Sequence, residues 1–209
     1  MLSFLCKRQT FAAALILAAG FLAPAANADL MKNVAECDAC HGEGGISLDS
    51  DVPTIAGISA LVLEEYMFQY VDAARPCRES KYRNGDADRP PTDMCAVAKA
   101  LSEAEVTAIA EYYADKNFVA AAQDFDAALA AEGAKIHKRG CEKCHTDGGS
   151  YKDDDAGRLA GQWKPYLEEV FADYASGKRE MLEEKMRKKI EELDPKSVSA
   201  LLDYYASLR

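Results

Sequence analysis

Long hydrophobic runs are almost absent from this chain of 209 residues. The one exception lies at the start, in "MLSFLCKRQTFAAALILAAGFLAPAANADL", where Phe11 to Ala23 are apolar behind Lys7 and Arg8. That run is too short to span a bilayer, and Ala26-Asn27-Ala28 follows it as a small-x-small cleavage site. Residues 1–28 therefore read as a secretory signal peptide, with the mature chain starting near Asp29 and no membrane span left after cleavage. Positive charge is also short. The formal charge is −10, and loss of Lys7 and Arg8 takes it to −12. A nucleic-acid ligand needs a basic footprint and is excluded. Alternating apolar and polar runs are lacking, so strands are not expected, and there is no G-x-G-x-x-G to cradle a dinucleotide. Histidine is scarce, at three residues.

Cysteine is not scarce. Of seven, Cys6 leaves with the leader. Four fall in two copies of one pattern, "ECDACHGEGG" with Cys37, Cys40 and His41, and "GCEKCHTDGG" with Cys141, Cys144 and His145. Cys77 and Cys95 remain. The two patterns are 104 residues apart, and the same offset carries Ile55-Ala56-Gly57 onto Leu159-Ala160-Gly161, Leu63-Glu64-Glu65 onto Leu167-Glu168-Glu169, and Tyr70 onto Tyr174. Further on the offset becomes 92. It then pairs Tyr112-Tyr113 with Tyr204-Tyr205, and Val106 and Ile109 with Val198 and Leu201. The chain is a tandem duplication with about 12 extra residues in the first copy. These lie within "RPCRESKYRNGDADRPPTDMC", whose Gly, Pro and charge mark a surface loop.

The remaining signals are helical. Leu63, Met67, Tyr70, Val71 and Ala74 form one apolar stripe, and Leu167, Val170, Phe171 and Tyr174 form its counterpart. Ser102 is placed to cap a helix through "VTAIAEYYA"; Asp194 caps another, with Pro195 in its first turn. "FDAALAAEGAKIHKRG" forms a helix ahead of the second motif, with His137 expected on its surface. The fold class is all-α: domain 1 over residues 29–120, domain 2 over 121–209, and "VAAAQD" as the join. Units this small have little core of their own and need a staple.

In an exported protein, C-x-x-C-H supplies that staple as the attachment signature of c-type haem: two thiols for two vinyl groups, and a histidine facing the iron. A thioredoxin-like use would need a βαβ setting, and a structural zinc site would need four ligands where each motif offers three. Cys37, Cys40, His41, Cys141, Cys144 and His145 thus predict two covalently bound haem c. The sixth iron ligand separates electron transfer from haem catalysis. Met94 lies 18 residues before Tyr112 and Met186 lies 18 before Tyr204, so the register picks this pair as axial ligands over Met181. Cys77 and Cys95 sit in or beside the extra loop. A disulfide between them would pin the loop and hold Met94; two free thiols are the alternative. Trp163 fits either core packing or a haem carboxylate.

The two-copy plan resembles the diheme cytochrome c4 family over essentially the whole mature chain. The resemblance implies two tandem class I cytochrome c domains, each with a distal methionine, and haems close together at the domain interface. The residues "FDAALAAEGAKIHKRGCEKCHTDGG", "LAGQWKPYL" and "EEKMRKK" are most similar to the cytochrome subunit of flavocytochrome c sulfide dehydrogenase. That likeness implies a periplasmic electron-transfer subunit, not an enzyme by itself. It would accept electrons from a FAD-bearing flavoprotein partner and pass them to a soluble cytochrome or an oxidase. A free-standing shuttle of the c4 kind and a haem enzyme with an open iron are the competing expectations. Some class I cytochromes orient the histidine with a proline; Pro53 is so placed, but Gly157 stands at its position in the second copy.

Overall fold

The computed structural model describes residues 23–181 and 183–209; most of the expected leader, residues 1–28, lies outside them. Among the described residues, and apart from single turns at Glu43–Gly45, Thr146–Gly149 and Lys152–Asp154, each copy contributes four helices. They are α1 (Ala23–His41), α2 (Ala60–Val71), α3 (Met94–Lys99) and α4 (Glu103–Ala114), then α5 (Ala127–Gly140), α6 (Lys164–Ala175), α7 (Glu184–Glu191) and α8 (Pro195–Ser207). The only strand-like feature among the described residues is an isolated bridge between Ser80 and Thr92.

Local chemistry explains the helix limits. Ser102 accepts from the Glu105 N–H while the Glu105 carboxylate accepts from the Ser102 N–H, a reciprocal cap that starts α4. Asp126 caps α5, and Asp194 caps α8 with Pro195 in the first turn. The helices α2 and α6 both give way two residues past their ends to a left-handed residue, Ala73 in one and Gly177 in the other.

Each copy closes by packing its first helix on its last. In copy one Val34 of α1 meets Ile109 and Tyr113 of α4. In copy two Leu167, Leu201, Leu202 and Tyr205 form the core, with Ile136 of α5 against it. There α5 and α8 approach so closely that a Cβ on Gly133 would overlap the Ala200 carbonyl. Both offsets read from the sequence recur as backbone bonds. The Gly57 N–H donates to the Tyr113 carbonyl (2.8 Å), as Gly161 does to Tyr205 (2.9 Å). Ile55 donates to Gly45 (2.8 Å), as Leu159 does to Gly149 (3.0 Å).

Two expectations need correction. Val71 is exposed, whereas Leu63, Met67, Tyr70 and Ala74 are half-buried and Leu63 packs against the copy-one core; the fully buried positions of α2 are Val62 and Gln69, so Val71 alone leaves the expected stripe. His137 is not a surface residue: it is 1% exposed. Its Nδ1 pairs with the Tyr205 hydroxyl (3.0 Å). Its Nε2 faces the His145 carbonyl (3.0 Å) and the Glu142 carboxylate (2.8 Å). Burial is tolerable because both ring nitrogens have partners.

The copies are joined by a polar seam. The Gln162 side chain donates to the Thr54 carbonyl (2.6 Å) and accepts from the Thr54 N–H (3.2 Å), as a neighbouring strand would. Trp163 belongs to this seam, since its indole N–H donates to the Ser47 carbonyl (3.1 Å). Arg78, from the extra loop, reaches α6 and pairs with Asp173 and Glu169.

Candidate haem sites

In copy one the C-x-x-C-H segment forms the last turns of α1, which ends at His41; in copy two it follows α5, which ends at Gly140. The thiols of Cys37, Cys40, Cys141 and Cys144 are unbonded, with Cys144 exposed. Burial pushes the Cys37 thiol up to about 12, with Asp38 adding to the effect, and raises Cys40 and Cys141. These are neutral thiols, not the low-pKa thiolates of a redox catalyst.

The turn after each motif is held from inside the motif. Asp38 accepts from the N–H groups of Gly44 (3.0 Å) and Gly45 (3.1 Å) and from the Tyr113 hydroxyl (2.8 Å). In copy two Glu142, at the matching position, accepts from the Asp147 N–H (3.2 Å) and faces His137.

His41 and His145 are both buried, and burial is the main force lowering the pKa of each, so both favour the neutral imidazole that binds metal. Their outer partners differ. His41 Nδ1 donates to the Pro53 carbonyl (2.9 Å), which orients the ring and leaves Nε2 as the lone pair. His145 Nδ1 is turned towards Gly157 without reaching hydrogen-bond geometry, and is buried without a partner. Met94 occupies the first position of α3 and Met186 the first turn of α7; both are half-buried. The matching residues therefore fall in matching short helices, two positions later in α7. Met181 lies ahead of α7, outside any helix. Cys77 and Cys95 form a disulfide, with Cα atoms 5.4 Å apart.

The seam holds a feature that motif reading missed. Arg75 and Arg179 are 104 residues apart and each is 4% exposed. Arg75 lies over the rings of Tyr66 (4.1 Å) and Tyr70 (4.7 Å), and Arg179 over Tyr174 (4.4 Å) and Tyr66 (5.1 Å). Arg75 Nη1 and Arg179 Nε are buried without partners. A buried guanidinium with an unpaired N–H is costly unless an anion joins it. The offset of 104 was the signal that pairs these arginines.

The residues fit haem c. Thiols stand ready for thioether bonds, a neutral histidine follows each pair, and two buried cations with open N–H groups suit the carboxylates that haem carries. Fold and sites together define a diheme c-type cytochrome, an electron carrier of two class I domains.

The comparisons with known proteins agree. No family model matches the chain. A thiosulfate dehydrogenase electron acceptor of Thiomonas intermedia is 31% identical over 189 residues, spanning 86% of this chain and 81% of the relative. A thiosulfate dehydrogenase electron acceptor of Stutzerimonas stutzeri is 35% identical over 85 residues, 40% of this chain and 34% of that protein. Among solved structures, reduced cytochrome c4 from Pseudomonas stutzeri has a TM-score of 0.70 at 27% identity, over 88% of this chain and 98% of that one. Cytochrome c4 of Acidithiobacillus ferrooxidans has a TM-score of 0.67 at 25% identity, over 83% and 99%. The chain belongs to the cytochrome c4-like family that includes the thiosulfate dehydrogenase electron acceptors, and carries two covalently bound haem c. Both sequence relatives are named for thiosulfate rather than sulfide.

Proposed function

We propose that this cytochrome accepts electrons from a thiosulfate-oxidising dehydrogenase in the periplasm, after removal of residues 1–28, and hands them on through two domains, residues 29–120 and 121–209. The observation that carries this reading is the likeness, over 86% of the chain, to a protein named as the electron acceptor of such an enzyme. When bound, each haem supplies an iron that gains and loses one electron. The chain does the rest. Cys37 and Cys40 tether one group and Cys141 and Cys144 the other. His41 and His145 would hold the irons through neutral imidazole nitrogens, with Met94 and Met186 as their second ligands, a ligand set suited to electron transfer. Arg75 and Arg179, buried among tyrosines, would offset the charge of haem carboxylates.

A second reading has a specific basis in the flanks of the second motif, which resemble a sulfide dehydrogenase cytochrome subunit. In that case the donor is a FAD flavoprotein. Mixing the oxidised holoprotein with thiosulfate dehydrogenase and thiosulfate should reduce both haems. Reduction only by a flavoprotein with sulfide would overturn the first reading in favour of the second. The ligand assignment is tested separately. Met94→Ala and Met186→Ala should each remove part of the weak red absorption band of methionine-ligated iron, and the double variant all of it. An unchanged spectrum in both single variants would sink the assignment.

A further inference from the structure

The two attachment segments meet solvent differently. In copy one the disulfide-closed loop lies along the motif. Arg83 and Asn84 donate their backbone N–H groups to the Ala39 carbonyl (2.8 and 3.0 Å). The Asn84 side chain donates to the Asp38 carbonyl (3.1 Å), and Cys40 Sγ approaches the Lys81 carbonyl (3.8 Å). Three of the loop's four cations are already paired, Arg78 with Asp173 and Glu169, Arg83 with Asp49 and Asp51, and Arg89 with Glu36; Lys81 alone has no carboxylate within ion-pair distance among the described residues.

Copy two has no such loop, and Cys144 is exposed. Basic residues flank the motif. Lys138 and Arg139 lie in the last turn of α5, Lys143 lies within the motif beside Glu142, and Lys189 of α7 lies near Gly140, with Lys185 one turn earlier. The matching positions of copy one hold Val34, Ala35, Ala39, Val97 and Asp93, none of them basic. Lys138, Arg139, Lys143 and Lys185 have no carboxylate within ion-pair distance among the described residues, whereas Lys189 is paired with Glu192.

We propose that the exposed edge of copy two, around Cys144, is the docking surface for an acidic redox protein, and that the 77–95 loop closes the corresponding edge of copy one. The inference rests on the two-haem reading. Charge complementarity selects the occupant: unpaired cations beside an exposed attachment point, on a molecule that is otherwise strongly acidic, steer a negative partner to this edge and away from the other.

The test uses the holoprotein, with haem counted first. A count below two would sink the two-haem reading and leaves the docking measurements to be read by themselves. Poly-L-glutamate serves as the acidic probe in a lysine-acetylation footprint. At low salt Lys138, Lys143 and Lys185 should be protected at least about fivefold, and Lys32 and Lys99 of copy one should not. Protection should vanish near 0.5 M salt, where charges are screened within a few ångströms. Ferricyanide oxidation of the reduced protein gives a second readout. Lys138→Glu with Lys185→Glu should slow it about tenfold at low ionic strength and flatten its salt dependence, while Lys32→Glu with Lys99→Glu leaves it unchanged. Equal protection of both copies, an unchanged rate in the copy-two variant, or self-association of the chain through this edge would overturn the proposal.

Discussion

Copy one and copy two share a backbone skeleton and differ in how they hold their polar groups. The bonds from Gly57 to Tyr113 and from Gly161 to Tyr205 are the same bond twice. Around them the solutions diverge. Tyr113 reaches Asp38 directly, while Tyr205 reaches Glu142 through a buried histidine. His41 is steered by a proline carbonyl, and His145 is left without that partner. Copy one carries a stapled cover over its motif; copy two leaves Cys144 exposed, with lysines flanking the motif. What duplication preserved is the framework that a flat, rigid ligand needs. What drifted is the outer support and the surface, where several arrangements satisfy the same hydrogen-bonding demand.

The contrast can be broken most sharply at the helix crossing. Gly133→Val forces a side chain into the Ala200 carbonyl and should cost at least about 4 kcal/mol, unfolding copy two. Asp29→Val, at the matching place in copy one, should cost nearly nothing because Asp29 is exposed. Separate melting transitions for the two copies, followed by haem absorption, would check this.

Removing the staple acts on the other copy. Cys77→Ser with Cys95→Ser opens a loop with a sequence separation of 18 and should destabilise copy one by about 3 kcal/mol, with copy two unchanged in a denaturant titration. Gln162→Ala touches both copies. It strands the buried Thr54 N–H and carbonyl and should cost about 2 kcal/mol, read as faster hydrogen exchange at Thr54. The smallest effects fall on the caps. Ser102→Ala and Asp194→Ala should each cost about 1 kcal/mol, one in each copy, by thermal melting.

Much of this was legible without coordinates. The repeat, the caps at Ser102 and Asp194, and both motifs follow from spacing, because helix periodicity and cap chemistry are local. Cys77 and Cys95 were a marked pair whose bonding stayed open until their Cα atoms were seen 5.4 Å apart. Val71 and His137 were misjudged for one reason: which face of a helix is inward depends on what packs against it. A histidine on a polar-looking helix is buried when a tyrosine hydroxyl and a carboxylate arrive from other elements.

The sequence by itself determined that this chain is two small helical units, each built around a C-x-x-C-H. A motif spaced for one ligand and repeated in register needs no tertiary knowledge to be read. Only the tertiary structure decided that Arg75 and Arg179 are buried side by side among tyrosines with N–H groups open, that Gln162 clasps Thr54 across the seam, and that a stapled loop covers one attachment site and not the other. Those facts depend on segments about a hundred residues apart being brought into contact, and no local rule of spacing or propensity encodes such a meeting.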